Sequence, residues 1–142
     1  MIATFDLFVN EIRKEVREMG LEELNTASQV EDAVKGSSGT ILIFVNSTCG
    51  CAGGIARPAL RMALENDVLP DRIATVFAGQ DKDATQRARS YFTNQPPSSP
   101  SFGLLRNGHL IAMIHRSNIE EKEPEEVAGM LMQAFDSHCK PV

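Results

Sequence analysis

The run TILIFVN, residues 40 to 46, is apolar or β-branched almost throughout, with the turn-forming stretch GSSG before it and STCG after it. A half-exposed strand alternates apolar and polar residues, whereas a run without that alternation belongs to a strand covered on both faces. This strand is therefore expected at the centre of a sheet, with helices packed above and below it. The fold class is α/β, and the remaining segments must supply amphipathic helices and further strands.

They do. Phe5, Phe8, Val9, Ile12, Val16 and Met19 recur at helical spacing, which predicts a first helix closed by Gly20 as a left-handed C-cap. A short strand around Leu24 to Thr26 and a short helix around Val30 to Val34 lead to the central run. From Gly50 to about Asn66 the pattern turns helical again. Pro58 lies inside it and should kink the helix, because proline lacks an amide donor and crowds the preceding turn. The segment RIATVFA, from Arg72 to Ala78, is a second long strand, and Asp81 is placed to cap a helix running to about Tyr91. TNQPPSSPS reads as a loop. FGLLR and HLIAMIH flank Asn107-Gly108, a strong short-range hairpin signal. A final helix starts near Pro124 and carries Val127, Met130, Leu131, Ala134 and Phe135. The order is α-β-α-β-α-β-α-β-β-α, without repeat or linker, so residues 1–142 are expected to form a single domain.

A net charge of -5 argues against nucleic acid or an anionic membrane as the main partner. No apolar run approaches the roughly 20 residues of a membrane span. The opening MIATFDLFVNEIRKE lacks the basic-then-apolar pattern of a secretory signal. A cytoplasmic setting is expected, where thiols stay reduced and close cysteines are more often catalytic or metal-binding than structural.

Two of the three cysteines, Cys49 and Cys51, flank Gly50 in NSTCGCAGGIARP, directly after the central strand. Cys49 is expected at the strand end, just before or within the first helical turn, where unpaired amides and the helix dipole favour a thiolate. Cys51, already drawn into the helix, should be the less exposed thiol. Cys49 is thus the candidate nucleophile and Cys51 a candidate resolving thiol. Side chains two apart on a helix diverge, so the ring they close would be distorted, and a strained disulfide reopens readily. This favours taking a thiol adduct or isomerising bonds over strong dithiol reduction. Gly50 clears the approach to sulfur, and Gly53-Gly54 leaves the nearby backbone accessible or adaptable.

Two blander readings compete. The thiols can be inert small hydrophobes, or they can bind a soft cation such as Cu(I) or Zn. A closed zinc site takes four ligands, and Cys139, His138, His115 and His109 have no finger-like spacing to the pair. No metal ligand is assigned, and thiol chemistry leads because function concentrates in such strand-to-helix loops. Arg57 stands one or two turns along, either beside the site or on a solvated face. Cys139 reads as a packing residue of the terminal helix, and GQDKDAT as a helix start.

This order, with a cysteine pair after the central strand and a closing hairpin, resembles the thioredoxin fold: three layers, a central mixed sheet flanked by helices, here with an extra N-terminal helix. PSFGLLRNGH is similar to the thioredoxin stretch of cis-proline, small polar residue, apolar strand and basic-Asn-Gly turn. The resemblance implies that Pro100 is a cis-proline facing the active-site sulfur and that the Ser99 backbone meets substrate. Thioredoxins carry two residues between their cysteines and an aromatic before the first. Here there is only Gly50, and Thr48 stands before Cys49.

Together with VFAGQDKDAT and PPSSPS, NSTCGCAGGIARP resembles the bacilliredoxin family, thioredoxin-fold proteins with a Cys-Gly-Cys site. The resemblance runs from Thr40 to AFDSHC near the C-terminus. It implies a thiol-disulfide oxidoreductase or disulfide isomerase that removes bacillithiol, or a similar low-molecular-weight thiol, from protein mixed disulfides. Cys49 and Cys51 would carry the chemistry, with Thr48, Gly50, Ser99 and Pro100 around the substrate. The thiol would be a co-substrate, S-thiolated proteins the clients, and no cofactor would be tightly bound. The reading from another class is a non-catalytic soft-metal carrier or thiol-dependent adaptor on the same fold.

Overall fold

The computed structural model describes residues 4–140. Strand β2 (Thr40–Asn46) is buried at every position, as its unbroken apolar run requires. It lies between β3 (Arg72–Phe77) and β4 (Ser101–Arg106), in a five-stranded sheet of order β1-β3-β2-β4-β5 with β1 (Glu22–Glu23) and β5 (His109–Ile114) at the edges. The β1, β3 and β2 strands run parallel, and β4 and β5 are antiparallel. The sheet is thus mixed, as expected.

The alternation along β2 divides the core. Ile41, Ile43 and Val45 meet Val30 and Val34 of α2 (Ala27–Lys35) and Ala84 and Ala88 of α4 (Lys82–Tyr91). Leu42 and Phe44 point the other way, to Leu60 of α3 (Arg57–Ala63) and to Leu131 and Phe135 of α6 (Pro124–His138). Each such side chain contributes about 2 kcal/mol by leaving water. Phe44 sits opposite Phe102 in the ladder, and their rings stack 4.8 Å apart. This locks the end of β2 against the start of β4, and so brings the cysteine loop and the proline loop to one end of the sheet. Gly103 admits Phe92 there: a Cβ on it would lie 2.2 Å from the ring.

Several boundaries differ from expectation. Helix α1 (Thr4–Glu18) buries Val9, Ile12 and Val16. Phe5 and Phe8, expected on that face, are exposed: Val9 and Ile12 already meet Phe77, the last residue of β3, and the turn before them has no sheet to cover. Gly20 closes the helix at φ +87°, in the left-handed region. The first strand lies at Glu22–Glu23 rather than Leu24 to Thr26, because Thr26 is spent as the cap of α2. Its Oγ1 accepts the Gln29 amide at 3.1 Å while Gln29 Oε1 accepts the Thr26 amide at 3.2 Å. Asp81 occupies the cap position of α4 but makes no capping bond. Its carboxylate is taken by Arg13 at 2.9 Å and Asn25 at 3.1 Å.

The break expected at Pro58 is realised as a π-helical segment, Ala52–Ala56, with Pro58 in the first turn of α3 behind it. The Arg57 amide reaches back to the Ala52 carbonyl, and this wider winding absorbs the missing proline donor. Asn107 and Gly108, at φ 51° and 81°, form the predicted hairpin turn. The Ser99-Pro100 bond is cis. One element was not predicted: α5 (Arg116–Ile119), a single helical turn after β5. Among the described residues no helix is long and apolar enough to cross a membrane.

Candidate active site

Beyond Asn46 the chain leaves the sheet through Ser47 and Thr48 and becomes helical at Gly50. The Cys49 carbonyl accepts the amides of Ala52 at 3.2 Å and Gly53 at 3.3 Å, which makes Cys49 the N-cap residue. Its sulfur lies beside the first turn's amides, those of Cys51 and Ala52. Ser47 Oγ donates to Cys49 Sγ at 3.0 Å and accepts the Cys49 amide at 3.3 Å, so the hydroxyl is fixed against the sulfur. Burial, the largest single influence, pushes the Cys49 thiol up. The Ser47 hydroxyl, the Ala52 and Cys51 amides and the Arg116 guanidinium together outweigh it, and the thiol titrates below its ordinary value.

Arg116 organises the site. Its Nη1 is 3.9 Å from Cys49 Sγ, its Nη2 4.0 Å from Cys51 Sγ, and Nη1 also donates to the Ser99 carbonyl at 3.3 Å. One guanidinium thus spans both sulfurs and the backbone before the cis-proline. The thiol charges of Cys49 and then Cys51 raise the Arg116 pKa in return. Glu120 lies 3.5 Å from Arg116 Nε and orients it from the solvent side. Pro100 is buried and Ser99 and Thr48 half-buried, while Gly50 is exposed with open space where a Cβ would stand. Cys49 and Cys51 are both half-buried. What separates them is the Ser47 hydroxyl, which reaches only Cys49.

The profile of the disulphide isomerase family matches residues 5–139. A bacilliredoxin of Geobacillus kaustophilus is 53% identical over 134 residues, covering 94% of this chain and 92% of that protein. Another from Staphylococcus saprophyticus is 51% identical over 143 residues, covering 98% of each. The chain belongs to the bacilliredoxin family. A solved thioredoxin from Fasciola hepatica, 18% identical, superposes with a TM-score of 0.60 over 83% of this chain and 99% of its own. A putative oxidoreductase with a thioredoxin fold gives 0.59 at 16% identity, over 77% and 91%. The fold is thioredoxin-like and the family is one of thiol-disulfide oxidoreductases.

The bacilliredoxin site contains two arginines that sequence reasoning left unplaced. Arg116 was hidden by the unpredicted α5; HRSN at the end of an apolar strand carried the signal, since Asn118 Oδ1 accepts the His115 amide at 2.9 Å and starts the turn. Arg57, left between the site and a solvated face, is buried beneath the cysteine loop, bonded to Asn46 Oδ1 at 2.9 Å and the Ser47 carbonyl at 3.1 Å. Gly53 makes room for it: a Cβ there would lie 2.9 Å from Arg57 Nη2. Cys139 caps α6 beside Thr40 at the start of β2. The whole seven-residue strand separates it from Cys49, about 20 Å at 3.3 Å per residue. Burial raises its pKa, and it packs against the core as expected. Among the described residues no three of His, Cys, Asp and Glu converge as a metal site, and the guanidinium against both sulfurs opposes a cation there.

The lowered thiol sets a pH dependence. Alkylation of Cys49 by iodoacetamide should follow a midpoint below the free-thiol value of roughly 8.5, and Ser47→Ala should move that midpoint upward. Because folding favours the thiolate, the associated stabilisation is present above the free-thiol pKa. It fades as pH falls through the lowered folded value. The reduced protein should therefore lose stability relative to Cys49→Ser across that window, read as a falling denaturant midpoint. An unshifted Cys49 midpoint would contradict the Ser47 bond.

Proposed function

We propose that this bacilliredoxin removes bacillithiol, or a similar low-molecular-weight thiol, from protein mixed disulfides, with Cys49 as nucleophile. The observation that carries this is the asymmetric pair: both sulfurs share Arg116, but only Cys49 has the Ser47 hydroxyl and the N-cap position. The Cys49 thiolate attacks the small thiol's sulfur. A new bond forms to Cys49, the bond to the client sulfur breaks, and its electron pair leaves on the client thiolate, which takes a proton. A second small thiol then attacks the adduct and frees Cys49; where Cys51 attacks instead, the small thiol leaves and a Cys49–Cys51 disulfide remains, which two further small thiols reduce. Each step exchanges one disulfide for another, so no external oxidant is required.

Arg116 stabilises the negative charge as it passes between sulfurs, and its bond to the Ser99 carbonyl fixes the loop beside them. The open Gly50 side and the half-buried Thr48 and Ser99 flank the approach of an extended client segment. The setting in keeping with this chemistry is the cytoplasm, and residues 1–142 act as one domain. The test is the mass of the reduced protein after exposure to bacillithiol disulfide. One bacillithiol added to Cys49, and reversed by free thiol, is the expected result. An unchanged mass under conditions where Cys49 alkylates readily would overturn the proposal.

A further inference from the structure

A cleft of about 390 Å³ opens between α4 and the proline-rich loop. It stands at the same end of the sheet as Cys49: Ser98 and Ser101 line it, and Ser101 pairs with Val45 near the end of β2. Ser98 precedes Ser99, whose carbonyl shares Arg116 with Cys49 Sγ. The loop is held in place by Ser98 Oγ on His115 Nδ1 at 3.0 Å and by His115 Nε2 on Gln95 Oε1 at 2.7 Å.

The charge of the cleft is opposite to that of the chain. Against a net charge of -5, Lys82 and Arg89 line it and no carboxylate does. Clefts elsewhere carry acids, such as Glu11 along α1 and Asp71 near Thr40. Arg89 donates one bond, to the Ser98 carbonyl at 3.2 Å, while its Nε is buried without a partner among the described residues. A buried donor left unpaired is costly, and a guanidinium fork is suited to a carboxylate. Burial lowers the Arg89 pKa with no counter-charge to offset it. Phe92, Pro96 and Met113 add an apolar wall, so the cleft combines an apolar body with a few polar anchors, as small-molecule sites do.

We propose that this cleft seats the carboxylate-bearing tail of the low-molecular-weight thiol while its sulfur is exchanged at Cys49, an inference that rests on the function proposed above. A disulfide held at Cys49 must place the rest of its small thiol somewhere at this end of the sheet. The volume suits a small molecule better than a client segment, and Arg89 supplies the missing counter-charge.

The test compares two disulfides on the full chain: bacillithiol disulfide, which bears carboxylates, and hydroxyethyl disulfide, which bears none. Arg89→Gln should slow adduct formation with the first about tenfold, the scale of one lost charge-assisted pair, and leave the second unchanged. Gln86→Glu, which places an acid in the cleft without removing a bond, should slow the first in the same direction, and added salt should shrink both differences. Equal slowing of both probes would make Arg89 a purely structural residue, and unchanged rates with both would leave the cleft without this role. Either result overturns the inference while the proposed function stands. A wild-type protein that reacts with hydroxyethyl disulfide but never with bacillithiol disulfide would overturn both. Slowing confined to a protein client carrying a neutral thiol adduct would assign the cleft to the client and overturn the inference.

Discussion

Replacing Cys49 by serine is expected to abolish adduct formation and every exchange reaction, a loss on the order of a thousandfold or more, since a hydroxyl is scarcely ionised at neutral pH and attacks sulfur poorly. The surroundings of Cys49 are built for a thiolate: the Ser47 hydroxyl at 3.0 Å, first-turn amides and Arg116 at 3.9 Å. A serine oxygen there can still accept hydrogen bonds from them but stays neutral, and so is not made a nucleophile. Cys51→Ser is expected to behave differently. It should accept the small thiol on Cys49 at near the wild-type rate and hold it longer, because the neighbouring thiol can no longer displace it. Mass spectrometry of each variant, at intervals after mixing with bacillithiol disulfide, reads both outcomes. Exchange surviving in Cys49→Ser, or an adduct found on Cys51, would reverse the assignment of the nucleophile.

Much of this was legible in the chain because the decisive signals are local. TILIFVN could be buried on both faces only as a central strand, and Asn107-Gly108 could link two apolar runs only as a tight turn. The placement of Cys49 after that strand gave its thiolate environment in outline, through the helix start alone. What the sequence did not disclose are contacts made across the fold. Arg116 lies 67 residues from Cys49, on a four-residue helix too short to show periodicity. Arg57 looked ambiguous because an arginine among alanines marks no face, and its burial depends on Glu15, 42 residues earlier. Asp81 carried every local mark of a cap, yet Arg13 claimed it from another helix. Phe5 and Phe8 had the right spacing for burial, but spacing cannot say where the sheet beneath a helix ends.

Arg57 gives the N-terminal helix a part in the site. Its guanidinium is 6% exposed as a residue, and it joins three segments: Nε donates to Glu15 of α1 at 2.6 Å, and Nη1 to Asn46 Oδ1 and the Ser47 carbonyl. Asn46 Oδ1 also accepts the Ser47 amide at 2.9 Å, so the residue that presents the hydroxyl to Cys49 is held from both sides. Arg57→Met keeps the length of the side chain but removes every donor, leaving the buried Ser47 carbonyl without this partner. Fully buried ion pairs cost about 3–5 kcal/mol when one member is removed. Glu15 is 37% exposed and can turn to water or to Arg61, so the expected loss is smaller, about 2 kcal/mol. For a domain of this size that corresponds to a fall in Tm of roughly 5–10 °C. A purely structural arginine would change Tm alone. Here the Cys49 alkylation midpoint should also rise toward the free-thiol value, as Ser47 loses its fixed geometry, and Glu15→Gln, which preserves an acceptor for Nε, should show both effects in weaker form. A destabilised Arg57→Met protein whose Cys49 still titrates as in the wild type would uncouple α1 and Arg57 from the thiolate and leave Ser47 positioned by Asn46 alone.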